Sequence, residues 1–257
     1  MLRAAPWIHT AGPLALADLR HRYAGSALGG LWAVVGPLVE VAIYALIFGL
    51  LLQPNSAAEG LSYPLYIASG LLPWAALRES LEGSASVLAD NRWIRRSRVP
   101  VELLVARQAL AGAARAAVGV ALMLAVALAA GHSTSIATWL APLSALALQT
   151  AGVFGMGLAL APAGTLYPDL RPALTSGLTL LTFASPILFP ESLITGRLAA
   201  LVEWNPFTHL LRLYRAPLGG PALGGFGLAM VLLTPLALLV LGKLAERRLW
   251  WAARDRL

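Results

Sequence analysis

The chain has 257 residues, of which 58% are hydrophobic and only 12% are charged, and its mean hydropathy is +0.73. Soluble domains carry about 25% charged residues, so this composition excludes an ordinary soluble domain, and its continuous apolar runs predict membrane-spanning helices rather than a β-barrel. The net charge of +7 would suggest nucleic acid in a soluble protein, but membrane topology explains the arginines here, and the absence of cysteine excludes a disulfide framework, a thiolate nucleophile and a zinc knuckle.

Residues 1–27 are predicted to be a cytoplasmic N-terminus with a short amphipathic helix at the membrane surface. Basic residues at 20–22 stand where a signal peptide would need a small-residue cleavage site. From Leu14 onward, Leu16, Leu19 and Tyr23 fall on one helical face, and the opposite face carries Asp18, His21, Arg22 and Gly25. A plain helical lead-in to the first span is the alternative.

Six apolar runs predict an all-α polytopic domain over residues 28–246, with spans at 28–52, 63–83, 101–131, 139–161, 173–189 and 226–244. The fourth span is expected to end at Pro162, and the fifth is near the short limit. Residues 190–217 hold two apolar runs too short to cross, which predicts an outer re-entrant helical hairpin. Within it, Asn205 and Pro206 fit a helix start, with asparagine as the cap and proline in the first turn.

A basic segment at residues 91–98 fixes the predicted orientation. It holds four arginines and a tryptophan between two long apolar runs. Each arginine would cost several kcal/mol inside a bilayer, and the positive-inside rule places such a segment on the cytoplasmic side. It is either a topology signal alone or a protein-binding surface on the side where ATP is available.

The predicted orientation puts both termini inside, with a basic cytoplasmic tail at residues 247–257. Three basic residues fall outside, namely Arg197, Arg212 and Arg215. Thirteen fall inside: Arg3, Arg20, Arg22, Arg92, Arg95, Arg96, Arg98, Arg171, Lys243, Arg247, Arg248, Arg254 and Arg256.

The sequence shows no recognisable motif for catalysis or nucleotide binding. The four histidines show no ligand spacing, so we expect no metal site. The single lysine, Lys243, lacks the upstream glycines of a phosphate loop, and no Gly-x-Ser-x-Gly elbow occurs. We therefore predict that this chain is not an enzyme and binds no cofactor itself.

Charged and aromatic residues inside spans are the candidates for a functional surface. Glu40, near the middle of the first span, is either a pore residue or a partner in an interhelical hydrogen bond. Arg78 and Glu82 are four residues apart and are expected to pair. Alanines at every fourth position from 109 to 129 predict a close-packed face on the third span. Aromatics near the outer span ends are interfacial anchors or, in a pore, stacking surfaces for sugars; they are Tyr63, Tyr66, Trp74, Trp139, Trp204 and Phe207.

Several motifs together resemble the permease subunits of ABC exporters for bacterial surface polysaccharides, namely O-antigen, teichoic acid and capsule. The resemblance runs from about residue 16 to 215. Its motifs are Asp18-Leu19-Arg20-x-Arg22-Tyr23 with Leu28-Gly29-x-Leu31-Trp32 and Pro37; Tyr63-Pro64-Leu65 with Gly70-Leu71-Leu72-Pro73-Trp74; residues 91–98 with Val99-Pro100-Val101-Glu102-Leu103; Tyr167-x-Asp169-Leu170; Ser185-Pro186-Ile187; and Trp204-Asn205-Pro206-Phe207. Arg98 departs from the pattern, which has an aromatic or apolar residue before the Val-Pro.

The resemblance implies a homodimer in the bacterial inner membrane, bound to two copies of a separate ATPase subunit that holds ATP and magnesium. It implies a channel at the dimer interface that carries a lipid-linked glycan outward. Asp18, Arg20, Arg22 and Tyr23 would form the interfacial helix, and Glu40, Tyr66 and Trp74 would be channel candidates. The ATPase contact would comprise Asn91, Arg92, Trp93, Ile94, Arg95 and Arg96, and the outer gate Trp204, Asn205, Pro206 and Phe207.

Three other functions stay open from the residues alone. The first is an ABC exporter of a small molecule or drug. The second is a membrane scaffold that transports nothing, for which Glu40 and the aromatics would be freely replaceable. The third is a membrane-embedded transferase, which would need a polar catalytic cluster.

Overall fold

A computed structural model describes residues 8–22, 25–52, 62–90, 99–129, 131 and 139–256 of the protein. Over these residues the regular structure is entirely helical, as the apolar runs predict. The α-helices are α1 (Ile8–Arg22), α2 (Trp32–Leu52), α3 (Tyr63–Asp90), α4 (Val101–Ala129), α5 (Leu140–Leu166), α6 (Leu170–Ala184), α7 (Arg197–Trp204), α8 (Pro206–Arg215) and α9 (Gly225–Arg256). Short 3₁₀ turns lie at Gly29–Leu31, Glu191–Leu193 and Ala216–Leu218.

Four of the described helical segments are long and apolar enough to cross a membrane: Gly29–Ile47, Val101–Ala129, Leu140–Leu166 and Gly225–Arg256. The chain is therefore a multi-pass helical membrane protein. The predicted second and fifth spans coincide with α3 and α6. α3 has 28 residues but carries a charged stretch from Arg78 to Glu82, and α6 has only 15 residues.

Several predicted span ends differ from the helix ends in the structure. The second span is predicted to end at residue 83, but α3 continues to Asp90. The fifth helix ends at Ala184 rather than 189, because Ser185 precedes Pro186 and adopts an extended backbone conformation, ψ 149°. The fourth continues through Pro162 to Leu166, and the sixth continues through the basic tail to Arg256. Apolar composition marks where hydrocarbon ends, whereas a helix continues for as long as its backbone hydrogen bonds can form.

Glycines allow the central helices α3, α4, α5 and α9 to pack closely. A Cβ atom on Gly242 of α9 would lie 1.8 Å from the carbonyl oxygen of Gly155 on α5, so the two backbones touch. A Cβ atom on Gly112 of α4 would lie 1.9 Å from the hydroxyl of Ser80 on α3. Since lipid gives no hydrophobic drive for helix association, such close backbone approach supplies the packing energy.

The predicted alanine face of α4 is not its packing face. Ala109 is buried, but Ala117, Ala121, Ala125 and Ala129 are exposed in the protomer. A strict four-residue repeat gains about 40° per step on a helix of 3.6 residues per turn, so it winds around to the opposite side. The buried face instead follows Gly112, Ala116, Gly119, Met123 and Ala127.

Between α6 and α9, the predicted outer segment forms two short helices, α7 and α8. Asn205 caps α8, because its Oδ1 accepts a hydrogen bond from the backbone N–H of Phe207 at 3.0 Å, and Pro206 occupies the first turn. The predicted helix start is confirmed. α8 has a continuous apolar face that includes Phe207, Leu211 and Tyr214, and this face packs into the core beside α3 and α5.

Candidate functional site

A polar cavity of about 190 Å³ lies between α2, α3 and α6. It brings together two of the predicted channel residues, Glu40 on α2 and Trp74 on α3. Its other lining residues are Tyr44, Leu71, Ala75, Arg78, Glu79, Glu82, Thr179, Thr182 and Phe183. Carboxylates, a guanidinium group, hydroxyls and aromatic rings therefore share one surface inside a largely apolar helix bundle.

Ion pairs hold the charged side of this cavity in place. Arg78 Nε lies 3.2 Å from Glu82 Oε1, which confirms the predicted pair one turn apart on α3. Glu79, which the sequence did not single out, pairs with Arg115 of α4 at 2.9 Å between Oε2 and Nε. Charged groups within spans are expensive in contact with lipid, so this arrangement fits a surface that faces water or a polar solute.

Trp74 forms the apolar wall of the cavity and is fixed on two sides. Its Nε1–H donates to Thr182 Oγ1 of α6 at 2.8 Å, and its ring lies 4.7 Å from the ring of Phe207 on α8. Only 4% of Trp74 is exposed. Trp74 thus links α3, α6 and α8. Because Thr182 lies 108 positions away, no sequence pattern indicates this partner.

Tyr66, the third predicted channel residue, lies outside the polar cavity. It is fully buried, and its hydroxyl is 3.0 Å from the carbonyl oxygens of Pro186 and Phe189. The same hydroxyl accepts a hydrogen bond from Arg215 Nη1 at 2.9 Å. In the protomer Tyr66 holds the turn after α6 against α3, and its place in a channel stays a prediction.

The charge count assigned Arg215 to the outer side of the membrane, and the structure shows that its side chain is completely buried within the protomer. Its Nε donates to Ser69 Oγ at 3.0 Å, and its Nη2 donates to the Pro186 carbonyl at 2.8 Å. The guanidinium carbon also lies 3.7 Å from the centroid of the Tyr66 ring, a cation–π contact. A signal for this burial was present, because Arg215 follows Leu211 by four residues on the apolar face of α8.

The four predicted outer-gate residues occupy different environments. Trp204 is 67% exposed and makes an edge contact with the Phe226 ring at 5.1 Å. Phe207 is buried against Trp74, and Pro206 opens α8. Asn205 also donates from Nδ2 to Ser185 Oγ at 2.8 Å, which ties the start of α8 to the end of α6.

An ion-pair cluster joins α7 and α8 to the turn before them. Arg212 of α8 contacts Glu191 Oε2 at 2.7 Å and Glu203 Oε2 at 2.6 Å. The hydrogen bond from Arg212 lowers the pKa of the Glu203 carboxyl. His209 is also part of this cluster, since its Nε2 lies 2.8 Å from the Glu203 carbonyl oxygen. Hydrogen bonds therefore cross-link α7, α8 and the turn at Glu191.

At the opposite end, ion pairs connect α1 and α9 to α4. Asp18, a predicted interfacial-helix residue, lies 3.0 Å from Arg107 Nε, and Lys243 of α9 bonds Glu102 at 2.5 Å. Arg20 and Arg22 belong to α1, but their side chains fall outside what the structure describes. Also outside the described residues are Tyr23 and the predicted ATPase contact, Asn91, Arg92, Trp93, Ile94, Arg95 and Arg96.

The helices and the charge-lined cavity define a multi-pass membrane protein with a polar surface between spans. Among the described residues, no group of three or more His, Asp or Glu is placed to hold a metal ion.

The chain is a homologue of polysaccharide-export permeases, as the motif resemblance predicts. It is 29% identical over 202 residues to the O-antigen export system permease protein RfbA of Myxococcus xanthus, covering 77% of this chain and 76% of the relative. It is 28% identical over 208 residues to the polysialic acid transport protein KpsM of Escherichia coli, covering 80% of each. A permease named RfbA from Klebsiella pneumoniae is 25% identical over 203 residues, 77% of this chain and 75% of the relative. No family model matches the chain.

Proposed function

We propose that this chain is the permease subunit of an ABC transporter that exports a lipid-linked polysaccharide across the bacterial inner membrane. The observation that carries the proposal is its similarity, over 77–80% of its length, to O-antigen export permeases and a polysialic acid transport protein. A separate ATPase subunit would supply the energy. The same polypeptide in two copies and two ATPase subunits would make up the complex.

The polar cavity supports a glycan-facing role. Carboxylates such as Glu40 accept hydrogen bonds from sugar hydroxyls, Arg78 donates them, and the aromatic face of Tyr44 stacks on the C–H face of a sugar ring. Its volume of about 190 Å³ is smaller than the roughly 300–1,000 Å³ of sites for drug-sized ligands. One protomer is therefore too narrow for a glycan, which favours a channel completed by a second copy.

α6 supports the same arrangement. Leu180 is 71% exposed and Phe183 is 55% exposed, although both lie on a helix that borders the polar cavity. A second copy packed against α2 and α6 would cover these side chains and place two polar cavities face to face.

Coupling to the ATPase would run through α3. The basic segment at residues 91–96 directly follows Asp90, the last residue of α3, and α3 carries Trp74 and the cavity charges. From Trp74 to Asp90 a rigid helix spans about 24 Å. Movement of the basic segment by the ATPase would tilt α3 and change the cavity, provided that the ATPase binds the two permease states with different free energies.

Two measurements test the proposal together. Deletion of the coding sequence is expected to deplete the polysaccharide at the cell surface. A mild-detergent pull-down of the tagged protein is expected to recover an ATPase subunit at equal stoichiometry in a complex with two copies of this chain. An unchanged cell surface with the ATPase present would identify a small-molecule exporter, and recovery of the chain alone would identify a scaffold.

Two sets of variants test the residues assigned by the proposal. Glu40→Leu replaces the carboxylate with an apolar side chain of similar size and is expected to reduce export strongly at equal protein level. Leu46→Ile on the same helix is the control and should leave export unchanged. Charge reversal of Arg92, Arg95 and Arg96 is expected to prevent ATPase recovery. Normal assembly and export by that triple variant would refute the assigned contact.

Topology can be tested in the same strain. Because the natural sequence has no cysteine, single cysteines can be introduced without first removing any. Labelling by a membrane-impermeant maleimide in intact spheroplasts is expected at Ser192 and not at Ser97 or Asp255. The reverse pattern would contradict the proposed cytoplasmic placement of the termini.

A further inference from the structure

A second cavity, of about 700 Å³, lies on the other side of α6 from the polar cavity. α3, α5, α8 and α9 form its remaining walls, and we call it the apolar groove. Representative wall residues are Leu81, Val153, Met156, Leu174, Leu178 and Leu238. Its volume falls within the range of roughly 300–1,000 Å³ that is typical of small-molecule sites.

Two polar side chains in the walls of the apolar groove, Gln149 and Asn205, already have protein partners. Gln149 donates from Nε2 to the Pro73 carbonyl at 3.0 Å, and its Oε1 accepts from the Tyr214 hydroxyl at 3.0 Å. Asn205 is committed to Ser185 and to the capped N–H of Phe207. These groups are satisfied without a ligand, so the groove offers its contents mainly apolar contact.

α6 leaves part of its groove-facing side uncovered by protein. Residues at helical spacing on this side line the groove, yet Leu178 and Thr182 are the only α6 residues that are buried. From Leu170 to Leu181 this side extends about 17 Å along the helix, more than half of the ~30 Å hydrocarbon core. A long, flexible hydrocarbon chain fits a groove of these dimensions and would complete the packing of α6.

The position of Trp74 indicates which molecule carries this hydrocarbon chain. Trp74 lines the polar cavity with one part of its surface and the apolar groove with another, so the two cavities meet at a single side chain. α5 and α9, which form the far wall of the groove, are long enough to span the membrane, so the groove lies among hydrocarbon. An amphiphile with a glycan on the polar side of Trp74 and an apolar tail on the other would contact both cavities.

We propose that the apolar groove between α3, α5, α6, α8 and α9 binds the hydrocarbon tail of the lipid-linked substrate, while Trp74 separates the tail from the glycan path. The inference rests on the proposed function. It adds a tail site within a single protomer, distinct from the polar cavity and from any interface between two copies. Binding there would hold the lipid anchor beside α6 while the glycan moves.

Photolabelling of the complete complex tests this inference. The probe is a polyprenyl phosphate with a diazirine in its tail, incorporated into nanodiscs that contain the purified permease and its ATPase. The parallel probe is a phosphatidylcholine with a diazirine in one acyl chain, at the same mole fraction. Mass spectrometry is expected to find polyprenyl adducts on wall residues such as Val153, Met156 and Leu174, with weaker labelling there by the phosphatidylcholine.

A matched pair of variants on helices that border the groove locates the tail. A Cβ atom at Gly177 would have no heavy atom within 4 Å, so Gly177→Phe directs an aromatic ring into the groove from a position with open space. It is expected to reduce groove labelling about tenfold, the factor expected when about two methylene groups lose their contacts. Leu241→Phe, at an exposed position of α9 outside the groove, is expected to change it less than about twofold.

Three results would overturn the tail site. In the first, polyprenyl adducts avoid the groove residues in the wild-type complex. In the second, phosphatidylcholine labels the groove as strongly as the polyprenyl phosphate does. In the third, Gly177→Phe leaves groove labelling unaffected in a complex that elutes as the wild type does. The wild-type map needs no variant to fold. Failure of the proposed function is seen separately, because deletion of the coding sequence would then leave the surface polysaccharide unchanged.

Discussion

Arg215 donates a hydrogen bond from Nη1 to the hydroxyl of Tyr66 at 2.9 Å, and neither side chain is exposed. The guanidinium group is satisfied by a serine hydroxyl, a tyrosine hydroxyl and a backbone carbonyl rather than by a carboxylate. A buried charge with these partners is stable only while all of the bonds are made. The contact therefore fixes α8 to α3 and to the turn at Pro186.

Arg215→Lys is predicted to destabilise the protein despite keeping the charge. A lysine ammonium cannot reproduce the planar fork that reaches Ser69, Tyr66 and Pro186 together. Loss of these bonds in a buried site is expected to lower the free energy of unfolding by about 2–4 kcal/mol. Thermal unfolding of the purified protein in detergent measures the change. Arg197→Lys at an exposed position of α7 is the control, and equal unfolding temperatures for the two variants would contradict the prediction.

Thr182→Val is predicted to loosen Trp74 while keeping the shape of its partner. The substitution removes the oxygen that accepts from Trp74 Nε1 and leaves a buried N–H unsatisfied, at a cost of about 1–3 kcal/mol. Thr179→Val is the matched control one turn away, since Thr179 is exposed and its hydroxyl bonds only the Thr175 carbonyl of its own helix. The unfolding temperature is measured for both variants, and an unperturbed Thr182→Val protein would show that the bond does not hold the ring.

Gly242→Ala and Gly177→Ala are predicted to shift stability in opposite directions. The new methyl group at Gly242 would lie 1.8 Å from the Gly155 carbonyl oxygen, which is backbone and cannot move without separating α5 from α9. Overpacking of this kind costs about 1–3 kcal/mol or more. At Gly177 the methyl meets open space, and alanine is favoured over glycine in a helix by about 1 kcal/mol. Chemical denaturation of the two variants in parallel gives both signs, and a neutral Gly242→Ala would refute the close contact.

Glu203→Gln is predicted to reduce stability at neutral pH but not at low pH. The hydrogen bond from Arg212 lowers the pKa of Glu203 in the folded state below its ordinary value of 4.5. A carboxyl whose pKa is lowered in the folded state stabilises the fold at pH values above its ordinary pKa. This contribution to the free energy of unfolding is lost as the pH falls through the folded-state pKa. Because Glu203 is partly exposed, the effect is expected to be modest. Unfolding temperatures of both proteins between pH 7 and pH 3 should converge at the acidic end, and a constant difference would contradict this origin.

Local sequence rules were sufficient for several features of the fold. Asn205 and Pro206 specify a helix start through their own chemistry, and Arg78 and Glu82 meet because four residues make about one helical turn. The apolar runs place helices because no other open structure satisfies the backbone inside a membrane. Motif order was sufficient for the resemblance to polysaccharide exporters, since it depends on spacing along the chain.

Other features depended on contacts between distant residues. The charge count assigned Arg215 to the outer side of the membrane without indicating its partners, whereas tertiary packing surrounds it with Ser69, Tyr66 and Pro186. Similarly, the regular alanine spacing on α4 predicted a packing face that the helix pitch rotates away from the core. Glu79 gained its role only when α4 brought Arg115 beside it.

By itself the sequence determined a multi-pass helical membrane protein and its resemblance to glycan exporters, and it predicts a partition of the basic residues across the membrane, because composition, helical period and the cost of charge in lipid act locally along the chain. The tertiary structure alone decided that Glu40 and Trp74 share a cavity and that Tyr66 is buried with Arg215. It also revealed the apolar groove behind α6. These features depend on how five helices cross, and the crossings are set by side-chain shape and by glycine contacts such as Gly155 with Gly242, which residue type and spacing do not specify.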